Sequence, residues 1–259
     1  MELANNKNET ADLTRFIRGF ETARNHRMNW ESHWQECYDF ALPQRGTITR
    51  SFIPGGKRIN SLYDATAMDS VDQLAASLLG HLTPPWSQWF GFKPGPDLNE
   101  AEAQAIAPLL EKAAKTIQAH FDRSNFAVEI HQCFLDLAVG GTSTLYFEET
   151  APGSDSAFKF SAVPLSDIVL EEGEHGFLDT SYRQLSLNLS KLFVRYPDAE
   201  LPLSILRQGD QNPDHKFDVL EGVIPNKGVY EFIAVFADDA NPVLLKRGRF
   251  DTSPAISFR

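Results

Sequence analysis

At 259 residues the chain can hold one large domain or two small ones around a true hydrophobic core, and 42% apolar with 23% charged residues is an ordinary globular composition. A formal net charge of −11 argues against a sequence-specific nucleic-acid reader, which would carry a basic face. No run reaches the roughly 20 apolar residues of a membrane span, and the polar residues 1–10 match neither a secretory signal nor an Arg-rich transit peptide, so the protein is expected to stay where it is made.

Along the chain, apolar residues recur at helical spacing over 12–40 (Leu13, Phe16, Phe20, Ala23, Trp30, Trp34) until Pro43 ends the pattern. Residues 44–60 read as a loop with a local basic cluster, Arg45, Arg50, Lys57 and Arg58. A second helix is predicted over 62–82, with Ser61 or Asp64 as its cap and Val71, Leu74 and Leu78 on its apolar face. Pro84 and Pro85 then force an extended path through Trp86, Trp89 and Phe90, which are expected in the core together with Trp30 and Trp34. A third helix over 99–121 has Glu100 and Glu102 placed against the dipole, and Pro108 is expected to kink or split it. A fourth over 126–139 ends at Gly140-Gly141.

After that the period shortens to that of strands. These are predicted over 143–148, 158–163, 168–171 and 177–187, with a hairpin turn at 152–155. Short helices over 189–196 and 199–208 precede strands over 217–224, 229–236 and 243–250, the last two joined by a turn at 238–241. Helices followed by strands in blocks predict an α+β fold, with N-terminal helices packed on a mainly antiparallel strand block.

The usual signatures of catalysis are missing from the sequence. There is no GxxxxGK[ST] loop, no GxSxG elbow and no His pair flanking a Glu. Cys37 and Cys133 lie far apart in apolar segments and read as buried thiols, not as a disulfide or metal pair. Glu148-Glu149 and Glu171-Glu172 are adjacent strand residues pointing to opposite faces, and Asp69 and Asp72 read as a solvated helix face. No catalytic, cofactor-binding or metal-ligating residue is assigned, and no cofactor is expected.

One block is more specific. Tyr38-Asp39-Phe40-Ala41-Leu42-Pro43-Gln44-Arg45 is followed by a Gly/Arg loop, then Leu62-Tyr63-Asp64-Ala65-Thr66-Ala67, Leu74-Ala75-Ala76-Ser77-Leu78, Leu82-Thr83-Pro84-Pro85 and Trp89-Phe90. In order and spacing this resembles the N-terminal part of the head-to-tail connecting (portal) proteins of short-tailed, T7-like phages. Gly140-Gly141-Thr142, Val163-Pro164-Leu165-Ser166-Asp167, Gly176-Phe177-Leu178-Asp179 and Ser253-Pro254 extend the resemblance over almost the whole chain from about Arg15.

The resemblance implies a non-enzymatic virion protein, made in the host bacterial cytoplasm and sited at the capsid portal vertex. There it implies a homo-oligomeric ring, typically of twelve subunits, through which double-stranded DNA is packaged and ejected without sequence-specific binding. Its implied partners are the terminase large subunit, scaffolding protein and tail adaptor proteins, with no membrane. By the same likeness, residues 13–141 and 142–259 would be the helical and strand-rich parts of one portal wing-type domain behind a disordered tail at 1–12. Family members are longer, so stem, clip and crown are expected to be absent, as in a gene fragment, a truncated prophage copy or an engineered piece. Arg45, Arg50, Lys57 and Arg58 are the candidate contacts, to a neighbouring subunit in preference to DNA phosphates, with a solvated loop as the plain alternative. The competing functions are a non-channel capsid or tail adaptor and a phage nucleic-acid enzyme.

Overall fold

The computed structural model describes residues 2–45, 48–49, 64–236 and 242–259, with side chains described from residue 11 onward. Its elements are α1 (Glu2–Ala41), α2 (Thr66–Leu82), α3 (Glu100–Arg123), α4 (Phe126–Gly140), β1 (Ser143–Glu149), β2 (Phe158–Val163), β3 (Ile168–Glu171), β4 (Thr180–Asn188), α5 (Leu189–Arg195), α6 (Leu203–Gln211), β5 (Lys216–Asn226), β6 (Val229–Phe236), β7 (Val243–Phe250) and β8 (Ala255–Phe258). A 3-10 turn sits at Leu165–Asp167. Helices followed by antiparallel strands make the α+β fold that the sequence predicts. The chain forms two compact units: Met1–Gln35, Thr47–Ser51 and Leu165–Ser257 make the first, and Glu36–Gly46, Phe52–Pro164 and Phe258–Arg259 the second.

The first unit is built on an antiparallel sheet in the order β3-β4-β5-β6-β7. Alternation along a strand gives the sheet two apolar faces. Tyr182, Leu220, Ile233 and Val235 face α1 and bury Leu13, Phe16 and Ala23. Phe217, Val219, Ala234 and Leu245 point the other way and cover Leu192, Tyr196 and Ile205 of α5, α6 and the link between them. A two-residue turn joins β5 to β6, with Lys227 at φ 51° and Gly228 at φ 86°, the left-handed pair that a tight hairpin requires.

In the second unit, α4 is the central element. Phe126, Ile130, Cys133 and Phe134 meet Ala75 of α2, Leu145 of β1 and Phe160 of β2. Two α4-end side chains complete the outer edge of β2: Asn125 exchanges hydrogen bonds with Phe160 (2.8 and 2.9 Å), and Glu129 accepts from Ala162 N at 2.8 Å. An otherwise open strand edge is thereby satisfied. Gly141, at φ 70°, closes α4 in the left-handed conformation, as the Gly-Gly pair predicts.

Several local expectations differ from the structure. α3 is not split at Pro108: its start is held by an Asn99–Glu102 capping box, and the carbonyl that Pro108 leaves unbonded belongs to exposed Gln104. β4 begins at Thr180, since residues 173–177 close a hydrogen-bonded turn instead of extending the strand. Trp30 and Trp86 are 60% and 75% exposed, not core residues, whereas Trp89 stacks on Phe126 at 5.7 Å. The helix expected over 199–208 lies at Leu203–Gln211, after Pro202, and β8 has no counterpart in the sequence reading. The turn expected at 238–241 lies outside the described residues.

Candidate functional site

Of the four basic candidates, Arg45 lies among the described residues, while Arg50, Lys57 and Arg58 lie outside them. Arg45 follows the turn that ends α1, where Leu42 N donates to Tyr38 O and Arg45 N to Leu42 O. From there its guanidinium reaches α4 inside the second unit. Nε donates to Asp136 Oδ1 at 3.0 Å and Nη2 to Oδ2 at 2.6 Å, a fork-on-fork pair. Nη1 also donates to Gln132 Oε1, and Tyr38 Oη donates to Asp136 Oδ1 at 2.9 Å. Asp136 is fully buried, so its charge depends on these donors. The cluster ties the end of α1 and the start of the basic segment to α4.

Two comparable clusters lie in the first unit. Glu221, 1% exposed on β5, accepts from Arg195 Nε at 2.6 Å, from Arg195 Nη2 at 2.9 Å and from Tyr196 Oη. Burial alone would lower the Arg195 pKa, but the carboxylate outweighs it and holds the guanidinium more firmly protonated than usual. Burial, then Glu221, pushes the Tyr196 phenol up. Glu231, 3% exposed on β6, accepts from Arg247 Nε at 3.1 Å and from Asn226 at 3.2 Å, with Arg249 at 3.7 Å. Burial acts to raise its pKa, yet the Arg247 and Asn226 bonds and the two guanidinium charges bring it below the usual carboxylate value.

In each cluster, arginine forks occupy a buried carboxylate. Such a group is a fastener between elements and is poorly placed to take a proton from a substrate. Among the described residues, no group of three or more His, Cys, Asp or Glu is arranged to hold a metal ion. Cys133 is buried, and desolvation pushes its thiol up to about 11. No helix among the described residues is long and apolar enough to cross a membrane.

Sequence reasoning found Arg45 and missed its partner. The available signal was Asp136 itself, an acid set in the apolar run Cys133-Phe134-Leu135-Asp136-Leu137-Ala138-Val139. Glu221 and Glu231 carried a similar mark, each a carboxylate among strand residues that bury on both faces.

Comparison with known proteins gives the family. The model of the family described as bacteriophage head to tail connecting protein matches residues 13–259. A protein named "Probable portal protein" from Bordetella phage BPP-1 is 25% identical over 174 residues, which cover 65% of this chain and 30% of that protein. A protein named "Portal protein" from Salmonella phage epsilon15 is 23% identical over 184 residues, covering 70% of this chain and 32% of that one. The chain thus spans about a third of the length of the curated relatives it matches. With a family match that runs from the first core residue of α1 to the last residue, the chain belongs to the bacteriophage head to tail connecting protein family.

Proposed function

We propose that this chain acts as a phage portal subunit: a non-catalytic component of the homo-oligomeric ring at one capsid vertex, through which double-stranded DNA is packaged and ejected and to which the tail attaches. The observation that carries this reading is the family match over residues 13–259. The two relatives named as portal proteins support it, and so do the arginine-locked carboxylates, which suit a rigid building block. The terminase large subunit, scaffolding protein and tail adaptors are the proposed partners, with the virion as the site of action. Because Arg45 is engaged by Asp136, the proposed contact of the basic segment with a neighbouring subunit falls chiefly to Arg50, Lys57 and Arg58.

Immunogold labelling of phage heads with antibody against this chain tests the reading. One decorated vertex per head is the expected result, and decoration of no vertex or of many overturns it. If replacing Arg50, Lys57 and Arg58 together by Ala leaves assembly and packaging unchanged, the contact assigned to that segment is wrong.

A further inference from the structure

The connection between β3 and β4 holds an aromatic ring out in solvent. Gly173 N donates to Phe177 O at 2.9 Å and Gly176 N to Gly173 O at 3.1 Å, so the turn is internally bonded. Gly176 takes φ +77°, a left-handed conformation that favours glycine, so the shape of the turn depends on Gly176. At its tip Phe177 is 71% exposed, beside the exposed side chains of Glu172, Glu174 and His175. A lone exposed apolar residue is ordinary. A ring fixed on a tight turn between acids is a shaped and charged feature.

The second unit carries a feature of opposite character. α3 is 24 residues long, yet its buried residues are Ala114 and Gln118. Along its outer side runs a shallow groove of about 530 Å³ with Pro108, Thr116 and Ala119 as its less polar part, Lys112, His120 and Arg123 around it, and Lys115 paired there to Glu111 at 2.7 Å. Leu109, the residue after Pro108, is 67% exposed. Helices in proteins owe most of their stability to packing of an apolar face, and this one keeps much of its surface uncovered.

We infer that the Phe177 turn of one copy docks into the α3 groove of a second copy of this chain, with Glu172 and Glu174 set against Lys112 and Arg123. The inference rests on the portal reading, because a ring of identical subunits needs two different, complementary patches on every copy. Charge complementarity between Lys112 and Arg123 on the groove and Glu172 and Glu174 on the turn is the argument for this occupant. Copies bearing a net −11 repel one another at long range, so attraction needs a locally basic surface facing a locally acidic one. The groove and the turn supply that pair. A Phe ring buries ~150–250 Å², well short of the ~800 Å² per partner of a stable interface, so this contact sets register within a wider one.

Cross-linking between differently tagged full chains tests the contact. One chain carries Phe177→Cys and the other Thr116→Cys, oxidised with copper–phenanthroline. The mixed dimer is expected at least tenfold above the yield of either variant with the wild-type chain, which controls for Cys37 and Cys133. Lys112→Glu with Arg123→Glu on the groove chain should lower the yield at least tenfold, and Glu172→Lys with Glu174→Lys on the turn chain should restore it. A mixed dimer no more abundant than the controls, or a loss that the charge swap fails to restore, overturns the inference. Rings that form without the cross-link also overturn it and leave the portal reading standing. A cross-link in a protein that does not label a single vertex retains the contact and removes the portal reading.

Discussion

Arg45 and Asp136, 91 residues apart in sequence, meet through two parallel N–H···O bonds of 3.0 and 2.6 Å. Removing one member of such a buried pair costs ~3–5 kcal/mol, because the remaining charge keeps its desolvation penalty. Asp136→Ala is therefore expected to lower the urea midpoint of the second unit's unfolding markedly. Asp136→Leu combined with Arg45→Met should recover much of the loss. A double variant as unstable as the single one would show that the cluster is needed for more than cancelling its own charges.

The Glu231 cluster predicts a pH dependence with a definite sign. Its folded pKa lies below the unfolded value of about 4.3. The stabilisation is therefore present above that value and is lost as pH falls through the lower, folded one. Melting curves of the wild type and Glu231→Gln between pH 3 and 7 should diverge at neutral pH and converge toward pH 3. Parallel curves would refute the assignment.

Gly222 predicts a packing effect. An added Cβ would stand 2.6 Å from Phe16 Cε2 and 3.0 Å from Tyr182 Cδ1, both on buried rings that have little room to move. Gly222→Ala should destabilise the first unit by ~1–3 kcal/mol through overpacking. Gly91→Ala, where nothing lies within 4 Å, serves as the control. Equal melting temperatures for the two variants would count against the close docking of α1 on the sheet.

The thiols should differ in reactivity. With its pKa pushed to about 11 by burial, Cys133 is about one part in a thousand thiolate at pH 8, and it is inaccessible as well. Native chain treated with iodoacetamide should label at the half-buried Cys37 first, and Cys133 should react after denaturation. Peptide mass mapping reads the order, and prompt labelling of native Cys133 would contradict its placement.

Much of the architecture was legible because hydrophobic period reports the buried face. Leu13, Phe16 and Ala23 recur at helical spacing and do pack on the sheet. Phe217 and Val219 alternate with Leu220 across its two faces. What the period does not report is how far the opposing surface extends. Trp30 continues the α1 stripe, but Arg27, one turn earlier, already bonds the carbonyls of Ile168 and Ser166, and Trp30 stacks on Trp34 at 6.4 Å. The carboxylate clusters were illegible for another reason. Asp136 signals a need for donors, but one sequence does not say that Arg45 and Tyr38 provide them. In sequence the Phe177 turn looks like strand, because Phe177 and Leu178 lead straight toward β4.

In the first unit's sheet, every pair of hydrogen-bonded neighbours is also consecutive in strand order from β3 to β7. Each strand can therefore add to one that left the ribosome just before it, and loop-closure entropy rises slowly even across the segment holding α5 and α6. β7, the last strand of this sheet among the described residues, carries Lys246, Arg247 and Arg249, charges that discourage pairing with a stray strand. These five strands can thus be paired on the nascent polypeptide once β7 has emerged, and the charges on β7 are in place before a second copy is met.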